Sequence, residues 1–299
     1  MSTVFLFGAG ASAYSLDCTP SCPPLGKDLF AALQAQGGVS ATFSPELVAT
    51  FTTNFEDGVA ALRSSRPVDL LEFLRDLARY FAQFAPGPNN LYRQLIRLLV
   101  STRFEGVLAS INYDVVLELA INAEGPRITY HGLPVPPGNL SVLKLHGSCN
   151  FLPVMQPGQI SGIGFDVGPT GSVLEADVRP VTPAEAVAFC DREDSVAPVL
   201  ALYVKGKQVL ICPSFVRAQV DAWSHALSRA TRAFVVGVRV NPDDDHIWGA
   251  LAHSPARLFY VGPDPASFFA WAREHKRKRV HAFAPSFEEA VPLWTRLFR

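Results

Sequence analysis

Phe5-Leu6-Phe7-Gly8-Ala9-Gly10-Ala11-Ser12-Ala13, the stretch FLFGAGASA at residues 5–13, decides how the rest of the chain is read. A short apolar run, Thr3 to Phe7, enters Gly8-Ala9-Gly10 and leaves through small residues. The run reads as a strand buried on both faces. Glycines at 8 and 10 let the backbone turn tightly and come close to a phosphate, and N–H groups at the start of a following helix favour negative charge. The same residues also describe a plain strand-to-helix turn, and both readings stand at this point.

Further short apolar runs bounded by turn residues lie at 106–111, 142–145, 208–212, 233–237 and 257–261, with a weaker one at 280–283. They alternate with helical patterns. The strongest is 68–84, with Leu70, Leu71, Leu74, Leu77, Ala78 and Phe81 at helical spacing; 89–102 is another. Strands alternating with helices predict an α/β fold, a Rossmann-like doubly wound parallel sheet. The 299 residues suffice for one large domain. The expected organisation is a core of about 1–24, 91–150 and 208–299, a helical insertion of about 25–90, and a second, loop-rich insertion of about 151–207 with one short helix at 183–190.

Composition narrows the function classes. Charged residues are 18% and the net charge is -1, so neither nucleic acid nor a membrane surface is an expected partner. The basic run at 275–281 (HKRKRVH) reads as a solvated helix end. No apolar stretch has the length of a membrane span, and residues 3–7 are too short for a signal-peptide core, so a cytoplasmic location is expected. The five cysteines, Cys18, Cys22, Cys149, Cys190 and Cys212, are odd in number and scattered, which fits reduced thiols.

A redox dinucleotide enzyme expects a second strand soon after the glycine loop, ending in an acid about 20 residues on. Asp28 has that spacing, but it opens the helix-like stretch 27–35 (KDLFAALQA). Hydride transfer therefore fits poorly. Three other segments carry polar residues at strand ends, where open α/β sheets bind ligands. Ser110-Ile111-Asn112-Tyr113-Asp114 offers Asn112 and Asp114, either of which also suits capping of a helix at 115–121. Leu145-His146-Gly147 offers a histidine suited to acid/base work near neutral pH. Gly237-Val238-Arg239-Val240-Asn241 leads into an Asp-rich run, 243–245, that reads as a helix cap before His246.

In this order GAGAS, SINYD, LHGS and GVRV resemble the sirtuin superfamily. In that family a glycine loop, an Asn/Asp segment, a His-Gly catalytic histidine and a late glycine loop line one NAD pocket. The form of the loops, and NPDDDHI after the last, is more similar to the divergent bacterial SIR2-like branch than to the protein deacylases. CPPLG at 22–26 stands where deacylases carry an Arg- and Phe-containing segment. Past His146 only Cys149, Cys190 and Cys212 remain, so the structural zinc of deacylases is expected to be absent, and no metal site is assigned; Cys18 and Cys22 read as a loop.

The resemblance implies that NAD is a substrate, broken at its nicotinamide–ribose bond through an oxocarbenium-like state. It implies that Gly8, Ala9, Gly10, Ala11 and Ser12 hold the pyrophosphate. Asn112 positions water or hydroxyl at the ribose, Asp114 supports the ribose or nicotinamide end, and His146 is the general base. Gly237 and Asn241 flank the adenosine. The implied activity is an NAD+ hydrolase, associated in bacteria with anti-phage defence, acting as a homo-oligomer or with a separate sensor protein. A deacylase or ADP-ribosyltransferase, and a non-catalytic sensor of NAD or ADP-ribose, are the alternatives.

Overall fold

A computed structural model describes residues 2–155, 173–192, 195–202, 211–241 and 244–298. Seven strands form one parallel sheet: β1 (Thr3–Phe7), β2 (Gly106–Ser110), β3 (Arg127–Thr129), β4 (Asn139–Lys144), β5 (Arg232–Val236), β6 (Arg257–Val261) and β7 (Val280–Ala284). Their order across the sheet is β7-β6-β5-β1-β2-β4-β3. The chain builds outward from β1 through β2 on one side, then crosses back and builds outward from β5 on the other. β1 therefore sits at the point where the winding reverses, the position from which doubly wound sheets bind ligands.

Alternation along the strands explains why both faces are covered. Every residue of β1 is buried. Phe5 and Phe7 join Leu108, Val142 and Phe234 in the core on one face. Val4 and Leu6 join Val107, Leu143 and Val235 in the core on the other. Successive side chains of a strand point to opposite faces, so an unbroken apolar run feeds two cores at once. On the first face Phe5 stacks on Phe234, ring centroids 5.0 Å apart, and meets Trp294 edge-on at 5.3 Å. Aromatic rings of this size each bury about 150–250 Å². That corresponds to about 4–6 kcal/mol of transfer free energy at about 25 cal/mol per Å². On the second face Trp223, Trp248 and Trp271 are buried, from the helices Pro213–Arg229, Asp245–His253 and Pro265–Glu274.

The long connection from β1 to β2 is helical, as its periodicity predicts. It contains Gly26–Gln36, Pro45–Thr53, Phe55–Ser65, Leu70–Ala82 and Leu91–Ser101. Local chemistry sets several of their starts. Ser44 and Asn54 accept from N–H groups of the first turns that follow them, and Pro45 occupies the first helical position, where a missing N–H does no harm. Leu70–Ala82 buries Leu70, Phe73, Leu74, Leu77, Ala78 and Phe81. Its Arg79 bonds Glu72 and Asp76 and reaches Asp191 at 2.9 Å, tying this block to the helix Pro183–Cys190.

The expected strand at 208–212 falls partly outside the described residues, as does much of the second insertion. Within the described part, Ile211 bridges Leu174, and Phe151–Pro153 pairs antiparallel with Val178–Pro180. All five cysteines are free, with Cys149, Cys190 and Cys212 buried. No helix among the described residues is long and apolar enough to cross a membrane.

Candidate active site at the carboxyl ends of the central strands

Register brings the sequence motifs together. Phe7 pairs with Ser110 on one side and Val236 on the other, and Ser110 pairs with Lys144. β1, β2, β4 and β5 thus end level with one another. The loops at 8–13, 111–114, 145–148 and 237–241 leave the same edge of the sheet.

The glycine loop is braced by its neighbours. Gly8 N–H donates to Val236 O and Gly10 N–H to Gly237 O, both at 3.0 Å, while Ala11 N–H donates to Gly8 O at 2.9 Å. Gly237 has φ +62°, and a Cβ there would lie 2.1 Å from Ala11 N. A Cβ on Gly8 would lie 2.7 Å from Gly237 O. These glycines are required first by the contact between the two loops. The N–H groups of Gly8, Gly10 and Ala11 already have carbonyl partners within the protein.

Asn112 closes the brace from β2. Its Nδ2 donates to Gly8 O and to Ser12 Oγ, each at 2.9 Å. Tyr92, from the helix Leu91–Ser101, places its hydroxyl 3.2 Å from the same Ser12 Oγ. Asp114 accepts from Val116 N–H at 3.0 Å and so serves the start of the helix Val116–Ala123. Beneath it lies a buried ionic group. Lys144 Nζ donates to Asp114 O at 2.6 Å and sits 3.1 Å from Glu118 Oε1. Burial is the main cause that pushes both the Asp114 and Glu118 carboxyls above the usual carboxylate range, against the attraction of Lys144.

His146 follows β4 on a sharply turned segment. Gly147 has φ +74°, and a Cβ there would lie 2.0 Å from Val199 O. Ser148 N–H donates to Val199 O and Ala201 N–H to His146 O, both at 2.9 Å, which fixes the histidine's backbone. Its Nε2 lies 3.0 Å from Nε2 of His246. Burial pushes His146 down to about 3, helped by His246, and burial pushes His246 down to about 4. Both rings are neutral at neutral pH, and one of the two Nε2 atoms carries the hydrogen between them.

A cavity of about 220 Å³ opens over these loops. Of the residues singled out from the sequence, Ala9, Ser12, Asn112, Asp114 and His146 line it. Gly8, Gly10, Ala11 and Gly237 stand behind the lining as braces. Asn241 faces Asp244, donating from Nδ2 to Oδ2 at 3.3 Å. The helical block supplies much of the apolar wall, including Leu29, Phe55, Val59 and Phe81.

Sequence reasoning missed Tyr92, Asp244 and His246. The Asp-rich run reads as a helix cap, and Asp244 does occupy the N-cap position of Asp245–His253. Its side chain, however, makes no cap hydrogen bond. It lines the cavity, and its carboxylate groups with His146 and His246, the ligating atoms of all three lying within 4.8 Å of one another. An aspartate two residues before a histidine, at the start of the helix that follows a central strand, is the signal that was present.

No protein-family model and no curated protein sequence matches this chain. Solved structures do. A Sir2 homologue variant in complex with ADP-ribose superposes with a TM-score of 0.50 at 15% identity, over 100% of this chain and 90% of that one. A Sir2 homologue in complex with NAD gives the same TM-score and identity, over 100% and 88%. The chain has the sirtuin fold.

Proposed function

We propose that this chain is an NAD+ hydrolase that cleaves the nicotinamide–ribose bond, giving nicotinamide and ADP-ribose. The observation that carries the reading is the convergence of Asn112 and His146 on one cavity above the glycine loop, at the reversal point of the sheet. Similar structures bound to NAD and ADP-ribose support the choice of ligand.

The chemistry assigned to the residues is as follows. The C1′–N bond breaks with its electron pair leaving on nicotinamide, and positive charge develops on the ribose ring. A water oxygen bonds to C1′ while its proton passes to a neutral imidazole nitrogen of His146 and then to solvent. His146 Nε2 is unprotonated when His246 carries the hydrogen between the rings, and it accepts the water's proton once that hydrogen bond opens. Asn112, held by Gly8 and Ser12, orients the water and a ribose hydroxyl. Ala9 and Ser12 face the pyrophosphate, and Asp114 anchors the start of Val116–Ala123 beneath the ribose. The apolar wall of Leu29, Phe55, Val59 and Phe81 excludes competing solvent. A role in anti-phage defence through NAD depletion belongs to the same reading and is supported by the sequence resemblance.

The test is incubation of the purified chain with NAD, with nicotinamide and ADP-ribose followed by chromatography, beside Asn112→Ala and His146→Ala. Release by the parent protein and its loss in both variants support the reading. Release that survives both variants overturns the site. Binding of NAD without release identifies a sensor, and release that depends on an added acylated peptide or protein acceptor identifies a deacylase or transferase.

A further inference from the structure

We infer that His146 Nε2, His246 Nε2 and a carboxylate oxygen of Asp244 form a binding site for a divalent transition-metal ion of the zinc class. The three ligating atoms already lie within 4.8 Å of one another. Zinc–imidazole bonds are about 2.0–2.1 Å long, so two nitrogens on one ion at angles of about 90–110° stand about 2.9–3.4 Å apart. The observed separation is 3.0 Å. The histidine pair therefore stands at chelating distance; to chelate, the hydrogen between the two Nε2 atoms moves to Nδ1, the rings, whose centroids are 5.2 Å apart, tilt towards a common point, and the Asp244 side chain closes in.

Two further features favour an ion. First, the ligands come from rigid supports: the pinned turn at Gly147 and the helix Asp245–His253. Second, Asn241 Nδ2 donates to Asp244 Oδ2 at 3.3 Å, the kind of outer contact that orients a ligating carboxylate. Two imidazoles and one carboxylate suit zinc, cobalt, nickel or ferrous iron rather than magnesium or calcium. Asp244 and His146 both face the cavity, so three protein ligands leave a coordination position open towards it. The inference concerns ion binding alone and stands without the hydrolase reading, but both draw on one lone pair: while an ion is bound, His146 Nε2 does not act as the base, so ion binding and hydrolysis exclude each other.

One rival location exists among the described residues. Ser15 Oγ lies 3.2 Å from Cys18 Sγ and 3.7 Å from Cys22 Sγ, which places two thiols near one another in the loop after the first helix. Sulfur and nitrogen ligation are distinguishable by spectroscopy.

The experiment titrates the metal-free full chain with Co²⁺, reading visible ligand-field absorption, and with Zn²⁺, reading the melting temperature. The expected result is one equivalent bound, no sulfur-to-cobalt charge-transfer band, and a melting temperature that rises with Zn²⁺. His246→Ala and Asp244→Asn should each weaken binding, the former by more than about 100-fold. His225→Ala, an exposed histidine elsewhere, should leave it unchanged. The metal-free melting curve of each variant reports whether it folds, and Asp244→Asn preserves shape if His246→Ala does not fold. Absence of saturable binding overturns the inference. So does binding that persists in folded forms of both variants, or a charge-transfer band abolished by Cys22→Ser.

Discussion

The Asn112 carboxamide is joined to the Ser12 hydroxyl by a 2.9 Å hydrogen bond, across 100 residues of sequence. The same nitrogen serves Gly8 O. One side chain from β2 thus holds two points of the glycine loop. Its amide has two N–H donors and both are engaged, so substitution acts on the loop as well as on any ligand.

Asn112→Asp is accordingly expected to be worse for stability than its size suggests. An ionised carboxylate cannot donate, and it faces the Gly8 carbonyl. Leaving a buried acceptor unsatisfied costs about 1–3 kcal/mol. Urea denaturation should show a loss of that order, together with loss of NAD binding by calorimetry. An unchanged midpoint would mean that the brace contributes nothing.

Gly237→Ala is expected to disable the site without touching a lining residue. The left-handed backbone alone costs about 1–2 kcal/mol for an L-residue, and the new Cβ would meet Ala11 N at 2.1 Å. Gly125→Ala provides the comparison, since Gly125 has φ +101° but open space around it. Thermal melts should place Gly237→Ala well below Gly125→Ala, and only the former should lose affinity for ADP-ribose.

The buried ionic group sets a pH dependence. Lys144 is fully buried, and the Asp114 and Glu118 carboxyls lie above their usual range. A carboxyl raised in the folded state favours folding most below the ordinary value, about pH 4. That contribution is lost as pH rises through the raised value. Glu118→Gln should therefore gain stability relative to the parent protein as pH rises above about 4, measured by urea melts at successive pH values. Lys144→Met, which leaves both carboxyls without their cation, should cost about 3–5 kcal/mol at neutral pH.

His146→Ala is expected to lower NAD turnover by about 10²–10⁴-fold with a smaller effect on NAD affinity. Single-turnover kinetics separates the two. An equal loss in affinity and rate would assign the ring to binding.

Much of the fold is legible because buried strands write themselves as short apolar runs. The reading of 3–7 coincides with Thr3–Phe7 and that of 257–261 with Arg257–Val261. The edge strand Arg127–Thr129 has no such run, since it is only partly buried, and nothing in RIT marks it. Among the helices, Leu70–Ala82 announces itself by its apolar stripe. Pro45–Thr53 and Phe55–Ser65 bury only two and three residues each, and their pattern stays below notice. In the site, strand-end logic finds Asn112 and His146 because each directly follows a strand. It passes over His246 and Tyr92, which reach the same place from helices. Their partners are chosen by register and packing, which no local window contains.

The interlock between the loops at 8–11 and 237 has a historical corollary. Neither glycine loop has room to acquire a side chain while the other keeps its present path. The two segments, more than two hundred residues apart, are therefore bound to drift as one unit. Lineages carrying this core should change both loops together or neither, even where the sequence between them has diverged beyond alignment.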